Sequence, residues 1–149
     1  MFILETNNSE ETQDLASKIA LKLWAGSTIL LTGDLGAGKT CFTQGLARGL
    51  NIKKIVNSPT FTILKIYNEG RLPLYHLDAY RLSSGFQDVG FSELIEDDGV
   101  MVVEWPQYLQ PLLPKQSLNI NIEWLSADRR RITISATGDK YINLLEELL

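Results

Sequence analysis

The chain has 149 residues, of which 44% are hydrophobic and 21% are charged, a composition typical of a single ordinary globular domain spanning 1–149. No apolar stretch approaches the roughly 20 residues that a membrane-spanning helix needs, and the formal net charge of −4 argues against a protein whose main task is gripping nucleic acid. The single cysteine excludes an internal disulfide and no secretory signal is visible, so we expect a soluble, cytoplasmic protein that meets RNA only indirectly.

The N-terminal half of the sequence alternates predicted helices and strands. Apolar residues recur at four-residue spacing in the first segment, which predicts a helix from a cap at Ser9 to about Trp24. The short apolar run at 28–32 contains β-branched residues and predicts a strand buried on both faces of a parallel sheet. A glycine-rich loop follows, and a helical pattern returns over 39–50, with Gly49 close to its end.

The C-terminal half is richer in strand patterns. Five segments contain β-forming residues in continuous or alternating runs, and each predicts a strand: 61–67, 72–77, 100–103, 118–124 and 131–135. The last two alternate apolar with polar residues and predict an antiparallel hairpin. Short helical pieces are predicted at 86–89 and 92–95, and an amphipathic helix at 141–149. Together the elements predict an α/β fold with a mostly parallel central sheet flanked by helices.

Residues 33–40, Gly-Asp-Leu-Gly-Ala-Gly-Lys-Thr, form the most specific pattern in the sequence. They match the phosphate-loop motif G-x-x-x-x-G-K-[ST], and the predicted strand before them and helix after them are the context that the motif requires. Its glycines let the backbone wrap a phosphate closely, beginning at Gly33, with inward-pointing N–H groups from Leu35, Gly36, Ala37, Gly38, Lys39 and Thr40. We expect Lys39 to reach the β and γ phosphates and the Thr40 hydroxyl to bind a bridging Mg²⁺ ion.

A phosphate loop needs an acidic partner at the end of a neighbouring strand, to hold magnesium through its water shell and to position the attacking water. Asp78 follows one predicted strand and Glu104 follows the continuous apolar run at 100–103. Ligands collect at the carboxyl ends of strands in open α/β sheets, so both carboxylates are candidate site residues.

Four further residues have two readings each. Thr60 lies where many P-loop proteins place a switch that senses the γ-phosphate, but ordinary turn chemistry explains the Ser-Pro before it equally well. His76, the single histidine, is expected to be a packed strand residue rather than a catalytic base. Trp105 flanks the nucleotide or fills core, and Cys41 is expected to act as a small buried residue.

Four segments, taken together, resemble the TsaE family, formerly called YjeE. They are the phosphate loop at 33–40, Ser-Pro-Thr-Phe at 58–61, His-Leu-Asp-Ala-Tyr-Arg-Leu at 76–82 and Val-Glu-Trp-Pro at 103–106. The resemblance covers nearly the whole chain and implies a P-loop ATPase, dependent on ATP and Mg²⁺ and weakly active alone. It implies a role in threonylcarbamoyladenosine modification of tRNA, through binding and resetting a complex of the TsaD and TsaB proteins.

The resemblance also assigns residues. The family's phosphate, magnesium, acidic and tryptophan positions are matched here by Lys39, Thr40, Asp78, Glu104 and Trp105. Arg129 matches an arginine near the bound nucleotide in the family, and Ser9 lies in an N-terminal stretch that also approaches it. Cys41 departs from the family's usual second threonine, one position past the ligand-bearing hydroxyl.

Three other functions also involve a phosphate loop. A GTPase requires an Asn-Lys-x-Asp segment and an Asp-x-x-Gly switch, and neither occurs in the sequence. A small-metabolite kinase normally adds a lid and an acceptor pocket, for which 149 residues leave little room. An ATP-gated binding module, in which hydrolysis is incidental, stays open as the main alternative.

Overall fold

One mixed sheet organises the computed structural model, which describes residues 1–59, 64–80 and 98–148. The described strands are β1 (Phe2–Thr6), β2 (Thr28–Thr32), β3 (Leu64–Tyr67), β4 (Leu74–Asp78), β5 (Val100–Glu104), β6 (Ser117–Trp124) and β7 (Arg130–Thr137). The described helices are α1 (Ser9–Ala20), α2 (Lys39–Gly49), α3 (Asp139–Leu148) and the 3-10 helix Pro106–Leu112. The predicted α/β class is confirmed.

The strand order is β1-β7-β6-β2-β5-β4-β3. The centre is parallel, because β2 pairs in parallel with β5 and β6, and β5 pairs in parallel with β4. Antiparallel pairs lie towards the edges, including the predicted β6–β7 hairpin. The parallel strands β2, β4 and β5 therefore end at one edge of the sheet, where α/β proteins bind ligands.

Apolar side chains cover both faces of the sheet, because the pleat sends alternate residues to opposite sides. On one face Val102 joins a cluster with residues of α1, α2 and α3. On the other, Val103 packs with Met101 and Leu109 beneath the 3-10 helix. All of β5 is buried, as the continuous apolar run at 100–103 predicts.

Helix α1 differs from its prediction at both ends. Asn8, not Ser9, is its N-cap, and its side chain accepts a hydrogen bond from the N–H of Glu11. The helix ends at Ala20 rather than near Trp24. Arg71, distant in sequence, donates to the carbonyls of Ala20 and Leu23, at 2.6 Å and 3.1 Å, and so satisfies acceptors at this end.

The other elements differ from their predictions mainly in length, except for one strand that the sequence pattern did not predict. β1 was not predicted; it is an edge strand that pairs with β7. α3 begins at Asp139, two residues before its predicted start. The predicted helical pieces at 86–89 and 92–95, Thr60 and residues 61–63 of the predicted strand lie outside the described residues. No helix among the described residues is long and apolar enough to cross a membrane.

Candidate active site

The phosphate loop, 33–40, connects the central strand β2 to helix α2. Gly33 has a φ of 151°, and a Cβ there would lie 2.6 Å from the backbone oxygen of Ile122 on β6. Gly38, with a φ of 112°, turns the chain into α2 and gives it no side-chain cap. The first N–H groups of α2 therefore face the loop without intrahelical partners, beside the positive end of the helix dipole, which is the arrangement that binds phosphate.

Lys39 is folded back over the loop. Its side chain is buried, and its Nζ donates to the Gly33 oxygen at 2.7 Å and lies 3.9 Å from Oε1 of Glu104. The same Nζ lies 4.2 Å from the ring centroid of Trp105. Burial lowers the pKa of Lys39, and the carboxylates of Glu104, Asp78 and Asp34 only partly oppose this effect. An incoming phosphate would add a closer anionic partner than Glu104 and would favour the charged form of Lys39.

Asp78 and Glu104 are register partners at the ends of the parallel strands β4 and β5. Glu104 is 3% exposed, and its Oε2 contacts the buried His76. Asp78 is less buried, and its Oδ1 accepts a hydrogen bond from the N–H of Tyr80 at 2.9 Å. Burial raises the pKa of Asp78, and the nearby charge of Glu104 acts in the same direction. The sheet thus brings together the two carboxylates that the sequence singled out.

Trp105 forms the wall between two cavities. Its backbone is left-handed, with a φ of 56°, a conformation that bulky residues rarely adopt and that marks functional sites. Its ring packs against Tyr80, with 5.1 Å between centroids. It borders a cavity of about 570 Å³ at the end of β6 and a cavity of about 610 Å³ over the phosphate loop.

The cavity over the phosphate loop, called the phosphate cavity below, gathers most of the predicted residues. It is lined by Leu35, Gly36, Gly38, Lys39, Thr40, Ser58, Asp78, Tyr80, Glu104 and Trp105. Magnesium prefers oxygen ligands. In nucleotide sites it is usually held by a few protein oxygens together with oxygens of the substrate phosphates. The cavity offers such oxygens on Thr40, Asp78 and Glu104. A cation there would stabilise the ionised form of Asp78, whose pKa is raised mainly by burial and further by the charge of Glu104. These residues fit magnesium.

A third cavity, of about 290 Å³, borders the start of α2 and is called the side cavity below. It is lined by Asn8, Ser9, Thr12, Gly38, Cys41, Ala127, Asp128 and Arg130. The Sγ of Cys41 lies 3.5 Å from the Ser9 carbonyl oxygen. The structure therefore places Ser9 beside the start of helix α2, in the cavity that Gly38 also lines.

Arg130, rather than Arg129, contacts the phosphate loop. The Nε of Arg130 donates to the Ala37 carbonyl at 2.6 Å. Arg129 instead pairs with Glu5 at 2.7 Å, and its side chain is about half exposed. Counting back in twos from the buried Ile132 places Arg130 on the inner face of β7, and this signal was available in the sequence.

The arrangement of these elements defines the class of protein. A glycine loop between a central parallel strand and a helix, beside carboxylates at the ends of neighbouring parallel strands, is a P-loop NTPase fold. The model of the family described as threonylcarbamoyl adenosine biosynthesis protein TsaE matches residues 6–132, and the chain belongs to this family.

Individual relatives agree with the family match. The chain is 48% identical over 143 residues to the tRNA threonylcarbamoyladenosine biosynthesis protein TsaE of Bacillus subtilis, covering 96% of this chain and 90% of that protein. It is 40% identical over 132 residues to the protein of the same name from Treponema pallidum, covering 87% and 97%. The crystal structure of Bacillus subtilis YdiB has a TM-score of 0.86 at 42% identity, covering 99% of this chain and 93% of that one.

Proposed function

We propose that this chain is a magnesium-dependent ATPase that supports threonylcarbamoyladenosine modification of tRNA. One observation carries the proposal: the phosphate cavity brings the phosphate-loop residues Lys39 and Thr40 together with the carboxylates of Asp78 and Glu104. A nucleotide cradle alone supports binding, whereas a cradle with buried carboxylates also supports attack by water. The names of the relatives then supply the pathway.

We place the triphosphate in the phosphate cavity and the nucleoside towards the side cavity. Gly38 borders both, so a ligand that bends around the start of α2 reaches each of them. Ser9 and Arg130 line the side cavity, and Arg130 also holds the loop through Ala37. The position of Arg129, beside Glu5 at the rim, suits a contact with the outer part of the nucleoside rather than with the phosphates.

Each side chain in the phosphate cavity has a distinct role in the proposal. Lys39 moves from Gly33 to the β and γ phosphates, where its ammonium gains an anionic partner. Thr40, Asp78 and Glu104 line the same cavity and would hold the magnesium ion through their side-chain oxygens. Glu104, the more buried carboxylate, also orients the attacking water. When bound, magnesium neutralises charge on the phosphate oxygens.

The chain's partners follow from the resemblance rather than from its own surface. We propose that it binds the TsaD–TsaB complex in the cytoplasm and that ATP binding and hydrolysis reset this complex between rounds of modification. The net charge of −4 supports only indirect contact with tRNA. ATP-dependent co-purification with TsaB and TsaD tests this assignment, and a failure to co-purify with and without ATP would contradict it.

Two substitutions separate binding from turnover. Lys39→Ala is expected to abolish measurable ATP binding, because it removes the cation at the phosphates. Glu104→Ala is expected to lower kcat by about 100-fold with little change in ATP affinity, as loss of a group that orients water does. Affinity is measured by calorimetry and kcat by phosphate release, with Glu147→Ala as an exposed carboxylate control. Undiminished ATP hydrolysis by Glu104→Ala would contradict the proposed catalytic role of Glu104.

A second candidate, the ATP-gated binding module, is favoured by apolar exposure at the mouth of the phosphate cavity. Leu35 is 88% exposed and Tyr80 is 52% exposed. Exposed apolar residues at a ligand site suit a partner that docks there once ATP is bound. If a nonhydrolysable ATP analogue supports repeated rounds of tRNA modification with TsaD and TsaB, this candidate replaces the ATPase.

A further inference from the structure

His76 is the single histidine of the chain and is completely buried in β4. Its side chain lies on the same face of the sheet as Glu104, because both follow the period of two along their parallel strands. There the Nε2 of His76 contacts Oε2 of Glu104, whose side chain is also buried. An imidazole and a carboxylate therefore meet with both side chains buried, at the inner wall of the phosphate cavity.

The second ring nitrogen of His76, Nδ1, indicates that packing alone does not explain a histidine at this position. Among the described residues, Nδ1 is buried and has no hydrogen-bond partner. A buried polar atom without a partner is unfavourable, so an apolar residue would serve packing better than histidine at this position. The contact with Glu104 is what distinguishes histidine. A carboxylate oxygen only accepts hydrogen bonds, so we assign the hydrogen of this contact to Nε2, which donates it to Glu104.

The contact fixes one oxygen of the carboxylate proposed to orient water. Oε1 of Glu104 lies 3.9 Å from Lys39 Nζ, and Oε2 contacts His76. A bound triphosphate draws Lys39 towards its phosphates, which weakens the first interaction. The second does not depend on the nucleotide, since His76 is held in the sheet.

We propose that His76 is a positioning residue, which holds the Glu104 carboxylate in its working orientation through an Nε2–H hydrogen bond. This inference rests on the proposed ATPase function of Glu104. His76 acts through Glu104 and touches neither nucleotide nor water. Partners that orient a catalytic carboxylate or ligand in this way typically contribute about 10–100-fold to activity.

Kinetics give the first test. His76→Leu keeps the site apolar but removes the donor, and we expect kcat for ATP hydrolysis to fall by about tenfold or more with KM nearly unchanged. His76→Gln places an amide N–H near the original Nε2 and should recover most of the lost kcat. Leu74→Val, on the same strand and face, controls for altered packing and should keep the wild-type kcat. A wild-type kcat in folded His76→Leu would overturn the proposal.

The second test needs no hydrolysis. Because His76 is the single histidine, an imidazole ¹H–¹⁵N spectrum of the nucleotide-free protein reports on this ring alone. We expect an exchange-protected Nε2–H signal that changes in Glu104→Ala. The absence of a hydrogen on Nε2, or a spectrum unaffected by Glu104→Ala, would overturn the proposal. If wild-type protein hydrolysed no ATP, the ATPase function would fail, while the spectrum would still decide whether His76 holds Glu104.

Discussion

Cys41, the single cysteine, lines the side cavity and so reports on where the nucleoside binds. Burial raises the pKa of its thiol, although Gln13 and Arg130 favour the thiolate. Because the thiolate is the reactive form, a raised pKa makes alkylation slow at neutral pH. We expect the rate to keep rising at pH values above the ordinary thiol range. We also expect ATP to slow the reaction, as measured by the alkylated fraction in mass spectra over time.

Lys39→Ala is the matched control for this footprint, because it keeps Cys41 but loses the proposed contact with the phosphates. ATP should leave its alkylation rate unchanged. Equal ATP effects on the wild-type protein and this variant would show that the nucleoside lies elsewhere. Fast alkylation at neutral pH without nucleotide would contradict the raised pKa of this half-buried thiol.

Residues fixed by local chemistry could be predicted from the sequence, whereas those fixed by distant contacts could not. The phosphate loop and the carboxylates at strand ends depend on spacing along the chain, and the fold brings them together as expected. The resemblance to the family indicates Arg129 as the arginine near the nucleotide. In the structure Arg130 contacts the phosphate loop, because side chains alternate between the two faces of the sheet along β7. The contact between His76 and Glu104 depends on the register between β4 and β5, which no local sequence pattern predicts.

Helices α1 and α2 approach closely because α2 lacks side chains where they meet. A Cβ on Gly45 would lie 2.5 Å from the backbone oxygen of Gln13 and 2.7 Å from its Cα. A Cβ on Gly49 would likewise lie 2.6 Å from Ala20. Gly49 is the last residue of α2, in agreement with its predicted place close to the helix end. Asn51 supplies the left-handed residue after the helix, with a φ of 62°, so close packing explains the glycine at 49 better than helix termination does. The sequence pattern alone does not distinguish a packing glycine from an ending one.

Gly45→Ala is expected to destabilise the protein. Alanine favours a helix over glycine by about 1 kcal/mol, but here the new methyl group meets backbone that cannot rotate away. We expect the steric effect to exceed the gain in helix propensity, so that the free energy of unfolding falls by about 1–3 kcal/mol, as in overpacked cores. Urea denaturation measures the change.

The control for this prediction is Lys18→Ala, an exposed position on α1. Substitutions at such positions usually alter the free energy of unfolding by less than about 0.5 kcal/mol. A Gly45→Ala protein as stable as Lys18→Ala would contradict the close approach. Since α2 begins at Lys39, a displaced α2 should also weaken ATP binding, which Lys18→Ala should not do.

At the scale of the whole molecule, one sheet connects the N-terminal strand, the phosphate loop and the C-terminal helix. β1 pairs with β7, and α3 packs on β7 and returns to the centre, where the N–H of Thr28 donates to the Tyr141 hydroxyl at 2.8 Å. Thr28 begins β2, the strand that leads into the phosphate loop. The C-terminal helix therefore supports the strand on which the proposed site is built.

Tyr141→Phe tests that connection, since it removes one hydroxyl and leaves the ring in place. The N–H of Thr28 is then buried without this acceptor, which costs about 1–3 kcal/mol. For a chain of this size, each kcal/mol lowers Tm by roughly 2–4 °C. We expect a single transition that shifts equally in far-ultraviolet circular dichroism and tryptophan fluorescence, because Trp24, Trp105 and Trp124 all belong to the same cooperative unit. If Trp24, which packs on Tyr141 with 4.7 Å between ring centroids, melted in a separate earlier step, the C-terminal helix would be an independent unit.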